Sequence, residues 1–178
     1  VRWIWIDRVL ELQRGQRLVA IKNVTMAEEH LHDHFAEVRG EDGRVVHPAM
    51  PVMPGSLVVE GMAQSAGILV GHAEDFREKV VLAKVTKVRL DRDATPGTTI
   101  RHTAEIALQS GQGAATRGTV DLFDHANPEA GWQTIGRIDL MFSHLDRNIA
   151  GIEFPEHNFV FNNTFRTLLQ SSGIDCDF

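Results

Sequence analysis

Most of the chain alternates apolar and polar residues with the period of two that marks a half-buried strand. Trp3, Ile4, Trp5 and Ile6 stand around Asp7 and Arg8 in a first run over residues 2–12, and Gly15 marks a turn. The segment 17–23, RLVAIKN, reads as the hairpin partner of that run. Four further runs, 80–90, 98–109, 114–123 and 132–142, have the same character. Turn chemistry separates them at Pro96-Gly97, at Ser110-Gly111-Gln112-Gly113, and at Asn127-Pro128 with Gly131. The second of these tracts lies between two strand-like runs, so it reads as a hairpin turn and not as a phosphate loop.

One segment breaks the alternation. From 56 to 72, SLVVEGMAQSAGILVGH, apolar residues run almost all round a helix, the sign of a helix buried on every side. Pro54-Gly55 is a good helix start, and the small residues Gly61, Ala63, Ser65, Ala66 and Gly67 allow sheet backbone to approach closely. Several antiparallel strands with one wholly buried helix predict an α+β fold in which a sheet wraps around that helix. Residues 1–145 form this domain. Residues 146–178 read as a C-terminal extension packed outside it, with Phe154, Phe159, Phe161 and Phe165 as anchors. Asn163 is the expected cap of a short helix over 164–171, before Gly173.

Composition narrows the function classes. A length of 178 residues fits one ordinary domain, and 43% hydrophobic with 24% charged residues fits a soluble globular protein. The formal net charge of −6 argues against a general nucleic-acid binder, which needs a basic face for phosphates. The single cysteine, Cys176, excludes an internal disulfide and multi-cysteine zinc patterns. With neither a membrane-spanning run nor a signal-like start, a cytoplasmic location is expected. The chain opens on Val1 and not Met, which leaves a preceding targeting segment open.

Three features carry candidate chemistry. Glu60 and Gln64 are four apart in the buried helix and so share a face; they serve either as a general acid with its amide support or as a buried polar pair that orients the helix. If 28–34 is extended, Glu28, His30, His32 and His34 point to one side, as a metal site or as an exposed decorated edge. The tract Pro51-Val52-Met53-Pro54-Gly55 leads into the helix start, whose free N–H groups form a ready oxyanion site. A histidine base, an acid and an N–H donor are the parts needed to remove a proton alpha to a carbonyl and expel a beta substituent.

On these residues the chain resembles the hot-dog-fold 3-hydroxyacyl-[acyl-carrier-protein] dehydratases of fatty acid synthesis. The resemblance is carried by WIDRVLEL and VAIKNVT, by DHF at Asp33 to Phe35, and by PVMPGSLVVEGMAQSAG at 51–67. It continues through VVLAKVTKVRL and IDLMFSHL, covering roughly residues 3–145. It implies His34 as the base that takes the alpha proton and Glu60 as the acid that protonates the departing hydroxyl. It places the Gly55 N–H on the thioester carbonyl, the Val52 carbonyl behind the histidine ring, and Gln64 as the holder of Glu60. It further implies an acyl carrier protein or coenzyme A thioester as substrate, and neither metal nor organic cofactor. A homodimer sharing its sites between subunits is implied too, with a trimer of dimers as a common larger form.

The chain departs from the family at one place. About four residues usually separate the histidine from the proline of PVMPG, whereas sixteen, 35–50, follow His34 here. His47, with three intervening residues, is the rival. The inserted AEVRGEDGRVV within 36–50 reads as a hairpin around Asp42-Gly43, and a hairpin returns the chain to its own start, which favours His34. Residues 77–92 carry six basic and two acidic side chains, with Lys87 and Arg89 on one strand face. That stretch is either a landing patch for an acidic carrier or a solvated surface. A hot-dog thioesterase and a non-catalytic acyl-binding module remain alternative readings.

Overall fold

The computed structural model describes residues 3–145, 148–149, 152–153, 158 and 160–176. Six antiparallel strands form one sheet: β1 (Arg8–Gln13), β2 (Arg17–Val24), β5 (Val80–Leu90), β6 (Thr98–Ser110), β7 (Gly113–Asp124) and β8 (Gln133–His144). Their spatial order is β1-β2-β6-β7-β8-β5, so β1 and β5 are the two edges. Between β2 and β5 the chain makes a helical turn, α1 (His30–Asp33), then a small two-stranded hairpin of β3 (Val38–Arg39) and β4 (Val45–His47). The long helix α2 (Gly55–Ala73) follows. After β8 come a short ladder of β9 (Asn148–Ile149) and β10 (Ile152–Glu153), and the last helix, α3 (Asn163–Ser171).

The sheet curls around α2, whose inner residues Met62, Ala66, Ile68, Leu69 and Val70 are sealed from solvent. Strand residues Leu18, Ala20, Ile100, Ala104, Val120 and Ile138 close over them in the same core. Gly61 shows why small residues are required on this helix. A Cβ there would stand 2.6 Å from His102 Nε2 and 2.9 Å from the Trp5 carbonyl oxygen, so helix and sheet approach at backbone distance. The hot-dog architecture expected from the sequence is present, with α2 within one residue of its anticipated span at each end.

Four local expectations are corrected. The first run is not a strand from its beginning: β1 starts at Arg8, and Trp3 to Asp7 cross the N-terminal half of α2 instead. Residues 28–34 are not extended, because Leu31 is drawn into the core (2% exposed) and 30–33 close into a helical turn. Glu28, His30, His32 and His34 therefore do not share one face, and among the described residues no three His, Cys, Asp or Glu side chains are grouped to hold a metal. Asn162, not Asn163, caps α3; its extended backbone lets the side chain accept from the Thr164 N–H at 2.9 Å. Finally, Glu60 is half-buried on a cavity wall and not enclosed on every side.

The Ser110–Gly113 tract is a tight hairpin turn between β6 and β7. Phe161 is buried and Phe165 half-buried against the domain, while Phe154 and Phe159 lie outside the described residues. Among the described residues no helix is long and apolar enough to cross a membrane.

Candidate functional site

The tract 51–60 converts a loop into a helix within a few residues. Pro54, with φ −53° and ψ 131°, sets the entry, and no side chain caps the first turn. The N–H groups of Gly55 and Ser56 have no carbonyl four residues back within the helix, which leaves donors at its positive end. Five residues further on, Glu60 Oε1 accepts from Gln64 Nε2 at 2.9 Å and from the Trp3 indole N–H at 3.0 Å. Gln64 is itself fixed: its Oε1 accepts from the Trp5 backbone N–H at 2.8 Å, and its Nε2 reaches the Trp3 carbonyl at 3.3 Å. These bonds hold one carboxylate oxygen, and among the described residues Oε2 of Glu60 has no hydrogen-bond partner.

Sequence reasoning took Trp3 as a strand residue and missed this contact. The signal was the pairing of two indoles near the chain start, because a buried or rim Trp seeks an acceptor for its N–H.

His34 ends the α1 turn, and its Nδ1 lies 2.7 Å from the Val52 carbonyl oxygen. The contact is built by backbone. Val52 N–H donates to the His34 carbonyl at 2.8 Å, and Phe35 and Met50 exchange two N–H···O bonds of 2.9 Å each. Residues 34–35 and 50–52 thus run side by side, and β3 and β4 rise from that closed base. The inserted hairpin leaves His34 next to Val52, whereas His47 is exposed on β4 opposite Val38.

The loop that carries His34 is fastened from below by a group that no sequence motif marks. Lys22, 6% exposed, pairs with Glu28 and with Asp7 Oδ1 at 3.3 Å, and donates to the Asn23 carbonyl at 2.8 Å. Glu28 stands two residues before His30, whose ring packs edge-on against Trp5 at 5.2 Å. Burial lowers the His30 pKa below its ordinary value, against the opposing pull of Glu28.

A cavity of about 310 Å³ opens at Glu60 and Trp3 and runs along α2 past Ala63 and Gly67 to Phe161. Its wall is apolar apart from Glu60, Gln64 and Asn162, with Glu60 at one end and Phe161 at the other. His34 is not among the residues that line it. Lys87 and Arg89 project from the exposed edge strand β5, where Arg89 is turned onto Asp91 at 2.7 Å. Arg77 is likewise bound to Asp75 and Arg92 to Asp124, which trims the positive charge of this stretch.

A model of the FabA-like domain matches residues 3–122. The 3-hydroxyacyl-[acyl-carrier-protein] dehydratase FabZ of Clostridium kluyveri is 30% identical over 147 residues, 82% of this chain and 88% of that protein. The enzyme of the same name from Thermomicrobium roseum is 36% identical, over 72% of this chain and 86% of its own. Among solved structures, the dehydratase heterocomplex ApeI:P from Xenorhabdus doucetiae aligns with a TM-score of 0.57 at 16% identity, over 82% of this chain and 85% of that one. A thioesterase family protein from Silicibacter pomeroyi aligns nearly as well, with a TM-score of 0.56 at 14% identity over 78% and 83%. The fold is therefore common to dehydratases and thioesterases, and the sequence relatives make the distinction: the chain belongs to the FabA-like family.

Proposed function

We propose that this protein is a hydro-lyase that dehydrates 3-hydroxyacyl thioesters to trans-2-enoyl thioesters, as the names of its sequence relatives describe for them. The observation that carries this reading is the His34–Val52 contact at the mouth of α2, with Glu60 five residues inside the same helix.

In the neutral tautomer that donates Nδ1–H to the Val52 carbonyl, His34 Nε2 keeps its lone pair. It takes the alpha proton of the substrate. The electron pair left behind is stabilised through the thioester carbonyl by the Gly55 N–H at the positive end of α2. Collapse of that charge forms the C2–C3 double bond and breaks the C3–O bond, while Glu60 supplies a proton so that water leaves. The proton on His34 then returns to Glu60 through solvent. Gln64 and Trp3, both on Oε1, keep Oε2 free to face the hydroxyl.

A homodimer completes the site. In one protomer His34 lies apart from the Glu60 cavity, so the two residues converge when a second copy brings its own loop to the cavity mouth. The edge strand β5 supports this arrangement, since it exposes Leu82, Val85 and Val88 and, among the described residues, has no strand beyond it. The carrier is an acyl carrier protein or coenzyme A, with Lys87 and Arg89 as its candidate contacts.

The reverse reaction gives the test. Purified protein should hydrate a 2-enoyl thioester, followed by loss of the enoyl absorbance, while release of free thiol stays negligible. Thiol appearing faster than the enoyl signal disappears would replace dehydration with thioester hydrolysis.

A further inference from the structure

We infer that the C-terminal extension sets the acyl-chain length, with Phe161 and Phe165 as the floor of the cavity that starts at Glu60. The inference rests on the dehydratase reading for the identity of the chain, and on the geometry alone for the position of the floor.

Glu60, Ala63, Gln64, Gly67, Ile68 and Gly71 recur at the spacing that places them along one face of α2. The small side chains at positions 63, 67 and 71 make that face a groove. At Gly67 the groove is open: a Cβ added there would meet nothing nearer than Phe142 at 3.7 Å. One turn further, at Gly71, it is filled, because the Phe161 ring comes within 2.4 Å of where a Cβ would stand. The same groove is thus cavity at one glycine and aromatic plug at the next. Phe161 stacks edge-on with Phe76 at 4.9 Å and with Phe165 at 6.1 Å, so the plug is a cluster and not a single mobile ring.

The plug is also anchored. Asn158 donates through its amide to the carbonyls of Phe76 (2.8 Å) and Glu78 (3.1 Å) and accepts from the Val160 N–H at 3.1 Å. Behind it, α3 buries Leu168 and Leu169 and is tied to β1 by Val9 N–H donating to Ser172 Oγ at 3.0 Å. None of these residues falls within the 3–122 stretch that matches the family model, apart from those they grip.

Its position sets a length. From Glu60, which faces the C3 hydroxyl, to Ile68 the helix rises about 12 Å. Each carbon of an extended chain advances roughly 1.3 Å, given single bonds of about 1.5 Å at staggered angles. The cavity therefore holds about nine carbons beyond C3, which makes medium-length acyl thioesters, up to roughly twelve carbons, the substrate class.

The experiment compares wild type, Phe161→Ala, Phe165→Ala and Gly67→Leu on 2-enoyl thioesters of four to sixteen carbons. Calorimetric binding of the corresponding saturated acyl-pantetheine thioesters, which have no double bond to hydrate, is measured in parallel. Wild-type kcat/KM and affinity should drop about tenfold beyond the length limit. Phe161→Ala should move the limit several carbons longer and raise the long-to-short ratio about tenfold. Phe161 also packs on Phe76, so Phe165→Ala, half-buried in the first turn of α3, serves as the second floor variant and should move the limit in the same direction. Gly67→Leu should shorten it.

If Gly67→Leu shortens the profile while both folded floor variants keep the wild-type limit, the cavity holds the chain but the extension is not its floor, and the inference is overturned. If none of the three shifts binding or turnover, the cavity itself is not the acyl site, which overturns the inference as well. Absence of hydration at every length, with a binding limit that still moves with Phe161, sinks the dehydratase reading and leaves the floor standing.

Discussion

Glu60 projects from a helix in which every residue from Gly61 to Ala66 is buried, whereas His34 leads into a loop in which every residue from Phe35 to Met50 except Gly40 is exposed. The two halves of the site are consequently held by different forces. Packing positions Glu60: Gly61 touches the sheet at backbone distance, and Gln64 is clamped by two backbone groups of the N-terminal segment. Hydrogen bonding positions His34, through the paired 34–35 and 50–52 segments and the Lys22–Glu28–Asp7 cluster below them. An insertion within α2 would shift the register of a sealed core. An insertion after Phe35 is absorbed, because a hairpin satisfies its own backbone groups and returns to its base.

The comparison is broken most forcefully by separating the two halves onto different chains. His34→Ala and Glu60→Gln should each lose on the order of 10²–10⁴ of the hydration rate, as general acid–base groups do, with the fold intact by circular dichroism. Unfolded together and refolded at equal amounts, half of the dimers should be mixed, each with one site carrying both defects and one carrying neither. Activity then returns to about a quarter of wild type. No recovery despite demonstrated subunit exchange would place both residues in one chain's site or remove one of them from it. His47→Ala, on the outer hairpin, should keep most of the activity; the reverse ranking of the two histidines would move the base to β4.

A second difference concerns acid. His102 lies fully buried on β6 beneath Gly61, with neither ring nitrogen hydrogen-bonded among the described residues, and burial pushes its pKa down from 6.5 to about 4. The folded state therefore holds it neutral, while the unfolded chain protonates it near pH 6.5. Its contribution to stability is fully present above pH 6.5 and is lost as pH falls from there towards 4, to a total of roughly 3 kcal/mol. Urea midpoints at pH 7.5 and 4.5 should show this loss in wild type and a smaller one in His102→Leu. An equal loss in both would mean that other groups cause the acid sensitivity.

Legibility in the sequence follows the same division. The helix was readable because apolar residues surround it and Pro54-Gly55 announces its start, and β5 because Val80, Val81, Val85, Thr86 and Val88 make it rich in β-branched residues. The strand-like pattern of 3–7 misled, because the Trp3 indole N–H and the Trp5 backbone N–H are both used in tertiary contacts with α2, which periodicity cannot register. The alternating histidines of 28–34 misled for a related reason: burial of Leu31 and the Lys22–Glu28 pair closed the segment into a turn against its apparent period. The placing of Asn162 at the α3 cap, where Asn163 was equally suitable by residue type, was a choice between neighbours that only backbone geometry makes. Phe161 was legible as an anchor, but its place at Gly71 depends on how a distant segment folds back, and no local pattern encodes that.

The smallest effect sharpens the comparison furthest. Val45 and Val46 are 44% and 57% exposed on β4, where a strand of the inserted hairpin has no core to face. Replacing both by Thr keeps the β-branched shape that suits a strand and removes little buried apolar surface. Thermal unfolding should then change by no more than about 0.5 kcal/mol, as for other exposed positions, with hydration activity unaltered. The same Val→Thr change at Val58 and Val70 in α2, 3% and 0% exposed, puts a hydroxyl among apolar neighbours, at a cost of about 1–3 kcal/mol each. A large loss at Val45 and Val46, or a shift to monomer on size exclusion, would mean that the hairpin is packed against the second subunit. The loop bearing His34 would then owe its position to the assembly and not to the hydrogen bonds within its own chain.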